Sequence, residues 1–277
     1  MSYSNMSEII HSNTSGGLKT SSTTRRGMIS EHVKNHSTKE GAKKISHPYK
    51  GVVFNTAVII PTLNEEKSIG RLINLLKKLY KDIKIIVVDD GSKDKTQEIV
   101  RKIKNVKLID RSKKKIKGLT ASVIDGVREV RYGNIVVIDA DLQHPPQTIK
   151  EIVEKLKEND VVIAGRRSLP SDWPVVRKLI SGIAGLLGRI RLLGKGFKVK
   201  DVVSGFFGVK TKLMQDILKK KGDKFEKQGY KVLFDLLKYC PKNTKVSEVY
   251  YDFQLRIGGS SKINKKHILI YLRSLFK

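Results

Sequence analysis

The sequence has almost no cysteine: of 277 residues only Cys240 carries a thiol. An internal disulfide is excluded, and a single thiol fits a reducing compartment. Long hydrophobic runs are missing too. No uninterrupted apolar stretch approaches the roughly 18 residues that suggest a membrane span. The N-terminus lacks the apolar core of a signal peptide. Any membrane contact is therefore expected to be peripheral, or made through a partner or through a segment not in this sequence. Aromatic residues are scarce at 6%, and acidic residues are outnumbered, with 27 Asp and Glu against 56 Lys and Arg. The resulting net charge of +29 favours anionic partners: nucleic acid, acidic lipid or phosphorylated substrates. Low aromatic content and the lack of a recognisable binding motif argue against nucleic acid. Two nucleotide fingerprints are absent as well. No G-x-G-x-x-G follows the first strand and no G-x-x-x-x-G-K-[ST] occurs, which argues against a dinucleotide oxidoreductase and a P-loop enzyme.

What is present begins after a polar stretch. Residues 1–50 are rich in Ser, Thr, Asn, His and Lys without a hydrophobic period, and read as a disordered basic tail. Residues 51–277 read as one catalytic-sized domain. Thr56–Ile60 is strand-like and stops at Pro61; Asn64 is placed as an N-cap, with Glu65 and Glu66 in the first turn of a helix. Apolar residues at 69, 72, 75, 76 and 79 continue that helix. Ile83–Val88 is a second strand, and a helix carries Ile99, Val100 and Ile103. Val106–Ile109 is a third strand, and 118–130 a helix. Alternating strand and helix mark a parallel sheet with crossover helices.

The next stretch, Asn134 to Pro146, is the one around which the chain is organised. Its apolar run, Ile135–Ile138, suits a central strand buried on both faces. It ends in Asp139, Ala140 and Asp141, with Gln143 beyond and a helix over 146–157. Side chains at i and i+2 of an extended segment share a face. Asp139 and Asp141 can thus converge, and hard oxygen ligands there suit Mg²⁺ or Mn²⁺ between protein and substrate phosphates. An acidic strand end before a helix cap presents the same residues without a metal. The balance is tipped by three successive strands ending in polar clusters, at Pro61–Glu65, Asp89–Asp90 and Asp139–Asp141, because parallel strands present their carboxyl ends on one edge.

The second half reads differently. Residues 174–193 form an apolar, arginine-bearing helix or helix pair, fit either for a membrane interface or for packing on the sheet. Val202–Val209 is strand-like around a turn, 229–239 a helix containing Asp235, and 245–253 a strand. Arg256 to Lys262 (R-I-G-G-S-S-K) has the composition of a mobile phosphate-closing loop, and equally of a plain surface loop. A last amphipathic helix spans 265–276.

Together these residues resemble the family 2 glycosyltransferases of GT-A fold, and among them the dolichyl-phosphate mannose synthases. The resemblance covers roughly residues 55–275. It rests on an ordered set: P-T-L-N-E-E at 61–66, V-V-D-D-G-S at 87–92, D-A-D-L-Q-H-P-P at 139–146, Gly165-Arg-Arg167, W-P-V-V-R-K-L-I-S at 173–181, V-S-G-F-F at 203–207 and R-I-G-G-S-S-K at 256–262. The resemblance implies an α/β three-layer sandwich with a mostly parallel central sheet. It implies transfer of a hexose, from GDP-mannose, to a dolichyl or other polyprenyl phosphate by single displacement with inversion. By the same resemblance Pro61, Leu63, Glu65, Val88 and Asp90 line the base and ribose, and Ala140 lies against the nucleotide. Asp139, Asp141 and Gln143 hold Mg²⁺ or Mn²⁺. Arg167, Arg256 and Lys262 contact the diphosphate or acceptor phosphate, Asp141, Arg256 and Lys262 being the catalytic set; Arg177 is a further phosphate candidate. Location is expected at the cytoplasmic face of a membrane, on an anionic lipid surface, with a small membrane-anchoring subunit as a further partner. Leu63 departs from the tyrosine usual in the mannose synthases, which keeps UDP-glucose as the rival donor. The Q-x-x-R-W motif of polysaccharide synthases is absent.

Overall fold

The computed structural model describes residues 55–80, 83–168, 175–254 and 265–277. The basic tail read over 1–50 and the loop cations Arg256 and Lys262 lie outside the described residues. The elements run β1 (Thr56–Thr62), α1 (Ile69–Leu79), β2 (Lys84–Asp89), α2 (Thr96–Lys102), β3 (Val106–Asp110), α3 (Leu119–Val127), β4 (Asn134–Val137), α4 (Thr148–Lys155) and β5 (Val161–Arg166). Then follow α5 (Val175–Leu192), β6 (Phe207–Lys210), α6 (Thr211–Lys221), α7 (Val232–Tyr239), β7 (Val246–Tyr251) and α8 (Lys265–Phe276).

One seven-stranded sheet, ordered β3-β2-β1-β4-β6-β5-β7, carries both layers of helices. Every pairing is parallel except those of β6, which runs antiparallel between β4 and β5. Strand residues alternate between two cores. Ala57, Ile59, Ile86, Val88, Ile135 and Val137 belong to one, with the buried faces of α3, α6 and α7. Val58, Ile60, Ile85, Val87, Val136 and Ile138 belong to the other, with α1 and α4. Burial on both faces explains why these strands read as continuous Val/Ile runs. Close helix approach is required on one side: a Cβ on Gly126 of α3 would lie 2.7 Å from Ile59 Cγ2.

Four readings need correction. β1 does not stop at Pro61 but runs through it to Thr62. Pairing with β4 ends at Ile59 and Val137, so the missing proline N–H costs no ladder bond on that side. Asn64 is not a helix cap. It sits at φ 52° and ties the β1 loop to the β2 loop, its backbone N–H donating to Ser92 Oγ (2.8 Å) and its Oδ1 accepting from Lys93 N–H (2.7 Å). α1 begins only at Ile69. Of the strand read over 202–209, only Phe207 onward pairs; residues 201–206 form the loop that delivers the chain to the carboxyl edge. α6 was absent from the expected elements.

Candidate active site

A cleft of about 300 Å³ opens at the carboxyl edge of the sheet. The polar strand ends meet there. Pro61, Leu63 and Glu65 come from the β1 end, Asp90 from β2, and Asp139, Ala140, Asp141 and Gln143 from β4. Two expected residues are not among its lining. Val88 is fully buried and belongs to the core beneath α3. Arg167 is turned outward: its Nη2 donates to the Tyr250 carbonyl (3.3 Å), and its Nε lies 3.5 Å from Asp252 Oδ1. Successive residues of a strand point to opposite faces, and Arg166, the neighbour not singled out by the sequence reading, lines the cleft instead. The side chain of Arg177 lies outside the described residues.

Asp89 and Asp90 divide their labour. Asp89 is wholly buried and accepts from the backbone N–H groups of Gly91 (3.1 Å) and Ser92 (2.9 Å), from Gln97 Nε2 (2.7 Å) and from Thr62 Oγ1 (3.0 Å). It builds the turn. Asp90 reaches the cleft, held by Arg111 and by the Gly118 N–H (2.7 Å). Burial pushes its carboxyl above the ordinary value, against the opposing pull of Gly118 and Arg111. Gly118 sits at φ 145°, and a Cβ there would lie 2.5 Å from the Lys227 carbonyl. Only glycine permits both that backbone and the close approach. The loop 227–231 in turn caps α3: Lys227 O and Gly229 O accept from the Ala121 and Thr120 N–H groups, each at 3.1 Å. That contact carries Tyr230 and Lys231 into the cleft wall.

The β4 end brings two carboxylates, Asp139 and Asp141, to the cleft. Asp141 is 5% exposed, and its Oδ1 accepts from the Gln143 N–H at 3.1 Å. Leu142 between them has φ 63°, a conformation costly for a residue with a branched side chain, and such strain concentrates at functional turns. His144, buried among Phe206, Tyr251 and Phe253, spans from Tyr251 OH (2.6 Å, to Nδ1) to Asp139 Oδ2 (3.1 Å, from Nε2). Burial pushes the Tyr251 hydroxyl up; because Nε2 faces a carboxylate and must carry the ring proton, Nδ1 is left to accept from that hydroxyl. Nε2–H then donates to the Asp139 carboxylate and fixes its orientation. The V-S-G-F-F loop closes over the same carboxylate. A Cβ on Gly205 would lie 2.8 Å from Asp139 Oδ2, and Ser204 Oγ anchors the loop by donating to the Ala164 carbonyl (2.7 Å). Asp139, Asp141 and the Gln143 amide oxygen are hard donors of the kind Mg²⁺ and Mn²⁺ take. Among the described residues no group of three or more His, Cys, Asp or Glu side chains is gathered. A cation held by one or two carboxylates together with substrate phosphates needs none.

Among the described residues, Arg166 and Lys231 bring cations to this cleft. Arg166 Nε donates to Asp201 Oδ2 (3.1 Å), and its guanidinium lies 5.8 Å from the Phe253 ring centroid. Lys231 Nζ donates to the Val203 carbonyl (2.8 Å). Burial, with Arg166 nearby, lowers the Lys231 ammonium to about 8. Asp235, where related transferases carry an acidic residue, is not in the cleft lining; it pairs with Lys238 at 3.1 Å, both side chains buried.

Comparison with known proteins agrees with this geometry. Residues 57–218 match Glycosyl transferase family 2. The chain is 36% identical over 233 residues to a dolichol-phosphate mannosyltransferase of Pyrococcus furiosus, covering 81% of this chain and 63% of that protein. It is thus similar to less than two thirds of the archaeal protein's length. Against the protein of the same name from Saccharomyces cerevisiae it is 30% identical, covering 79% of this chain and 85% of the yeast one. Among solved structures, glucosyl-3-phosphoglycerate synthase from Mycobacterium tuberculosis, in complex with Mg²⁺ and UDP, shares the fold at 19% identity, with a TM-score of 0.59 and 81% of each chain covered. With more than half its length in the family match, the chain belongs to glycosyl transferase family 2.

Proposed function

We propose that the protein transfers mannose from GDP-mannose to dolichyl phosphate, with inversion at the anomeric carbon and with Mg²⁺ or Mn²⁺ as cofactor. The observation that carries this reading is that relatives from an archaeon and two fungi bear one name, dolichol-phosphate mannosyltransferase, and match 79–81% of this chain. The cleft supplies the chemistry. Leu63 offers an apolar surface to the base, and Glu65 and Asp90 offer carboxylates to the ribose hydroxyls. Asp139, Asp141 and Gln143 hold the divalent cation, which when bound neutralises the leaving diphosphate. Ala140 lets the nucleotide lie close to the β4 end.

The acceptor phosphate is already an anion, so its oxygen attacks the anomeric carbon without a strong general base while the bond to the diphosphate breaks. Bringing two anions together is the difficulty, and cations must offset it. Arg256 and Lys262, in the segment of sequence between β7 and α8, are assigned this task. Arg167 serves beside them only if its contact with Asp252 opens. The acceptor's long chain stays in lipid, so the carboxyl edge must face a membrane, and we place the protein peripherally on the cytoplasmic face. No helix among the described residues is long and apolar enough to cross a membrane. α5 instead exposes Leu179, Ile183, Leu186 and Ile190 at helical spacing along one stripe.

A panel of labelled GDP-mannose and UDP-glucose against dolichyl phosphate, with and without EDTA, tests the reading. GDP-mannose with added metal is expected to give product. A clear preference for the uridine nucleotide, the outcome Leu63 would favour, overturns the donor; full transfer in EDTA overturns the cofactor.

A further inference from the structure

Arg166 and Lys231 have no part in the reaction as derived so far, yet both line the cleft. Each has donors left over. Lys231 Nζ gives one N–H to the Val203 carbonyl and has two more; the guanidinium of Arg166 gives Nε–H to Asp201 and keeps its terminal nitrogens. Asp201 offsets one of the two charges, and its own position is set by Glu248, whose Oε1 accepts from the Asp201 N–H at 2.9 Å. Lys231 also feels the Asp139 carboxylate, but burial and the neighbouring Arg166 outweigh both carboxylates and lower its ammonium to about 8, so it gives up its proton more readily than in water. An anion entering the cleft would relieve that.

The sheet order says which anion. Along the carboxyl edge, β2 and β1 present Asp90 and Leu63, β4 presents the metal carboxylates, and then come the loop entering β6 and the end of β5 with Arg166. Three strand spacings, about 14 Å, separate β1 from β5. A nucleotide seated on β1 and β2 with its diphosphate at Asp139 and Asp141 directs its sugar toward β6 and β5. The cation pair thus lies on the side from which the sugar is attacked. We propose that Arg166 and Lys231 form a phosphate clamp on the acceptor side of the cleft, holding the acceptor's phosphate oxygens as they approach the anomeric carbon. This rests on the reading of the protein as a transferase to a prenyl phosphate, and adds two contact residues to it.

The test uses calorimetric titration of the full chain, saturated with GDP and Mg²⁺, with geranyl phosphate. Lys231→Met keeps the stem and removes the charge; Lys231→Arg restores a cation. Loss of a charged hydrogen bond weakens binding by roughly 10- to 100-fold, so Lys231→Met and Arg166→Met should weaken geranyl phosphate binding by at least about 10-fold. GDP affinity should stay within about two-fold, which also shows that the variants are folded, and Lys231→Arg should recover most of the loss. Unchanged geranyl phosphate binding in both variants overturns the clamp, as does an equal loss of GDP affinity, which would assign the pair to the donor diphosphate. Failure of the wild-type protein to bind geranyl phosphate overturns it too. Failure of the donor panel alone, with geranyl phosphate binding intact and charge-dependent, sinks the mannose reading and leaves the clamp standing.

Discussion

The two carboxylates at the end of β4 are unequal, and the difference predicts what each substitution does. Asp141 is almost fully buried beside the strained Leu142, whereas Asp139 is one-third exposed and braced by His144. Asp141→Ala removes the carboxylate proposed to hold the metal and its bond to the Gln143 N–H, but the Gln143 carbonyl still accepts from the Gln254 N–H at 2.9 Å, so the variant should fold. Losing one electrostatic contact at a reacting centre typically costs about 100- to 1,000-fold in rate, and turnover in a radiolabelled transfer assay should fall by that much. Transfer at the wild-type rate would remove Asp141 from the site. His144 acts at one remove. Mutating such an outer partner typically costs about 10- to 100-fold in metal affinity or activity. His144→Phe keeps the aromatic cage with Phe206 and Tyr251 but frees Asp139 to rotate. It should raise the Mg²⁺ concentration needed for half-maximal activity while leaving GDP binding without metal unchanged. An unchanged metal requirement would reduce His144 to a packing residue.

At the scale of elements, α7 and α8 illustrate how a charged pair can be structural rather than catalytic. Asp235 and Lys238 lie one helical turn apart on α7, at 2% and 4% exposure. Lys238 Nζ also donates to the Ser274 carbonyl of α8 at 2.8 Å, while Asp235 Oδ2 accepts from the Glu226 N–H at 2.8 Å. Burial pushes the carboxyl up and the ammonium down, and each opposes the other's shift. Removing one partner strands the other, at a typical cost of about 3–5 kcal/mol. Lys238→Met should therefore lower unfolding stability in urea by about 3 kcal/mol. Turnover of the folded fraction should be near normal, because neither Asp235 nor Lys238 lines the cleft. Stability within about 0.5 kcal/mol of wild type would show that α8 is held by its other ties, Tyr271 OH to the Ala184 carbonyl (2.6 Å) and Arg191 Nε to the Leu275 carbonyl (2.8 Å).

The whole molecule carries a net charge of +29 and an exposed apolar stripe on α5. On the proposed peripheral binding to a lipid surface, the two would contribute differently. Each basic residue near an anionic surface contributes about 1 kcal/mol, and salt screens it over a Debye length of about 8 Å at physiological strength. Burying a leucine in the interface is insensitive to salt. Binding to phosphatidylserine vesicles should therefore weaken with added salt in the wild-type protein. Leu186→Glu, at 49% exposure on the middle of the stripe, should weaken binding at every salt concentration without lowering unfolding stability. Vesicle binding indifferent to both salt and Leu186→Glu would detach the protein from the lipid surface and leave a protein partner to bring it there.

How far the chain could be read before its structure varied with the physics behind each feature. Burial on both faces writes itself into composition, so the strands around Val58, Val87 and Val136 were legible as apolar runs, and so was the parallel sheet they form. Asp139, Asp141 and Gln143 were legible because a strand end confines them to a few neighbouring positions. α6 was not, because T-K-L-M-Q-D-I-L-K-K-K buries only Thr211, Met214 and Ile217 and its polar face hides the period. Asn64 has the chemistry of a helix cap, and only the approach of the β2 loop turned it into a tie between loops. Arg166 and Arg167 are the same residue type side by side, so nothing local distinguishes them. Which one enters the cleft is decided by the pleat of β5 and the position of Asp201, 35 residues further along the chain. Lys231 and His144 owe their settings to partners also remote in sequence: the Val203 carbonyl, 28 residues away, for one, and Tyr251, 107 residues away, for the other. The amino-acid sequence determined by itself which residue types were available at the edge of the sheet. Contacts between residues remote in sequence, which exist only once the sheet is assembled, decided which of them face the substrate.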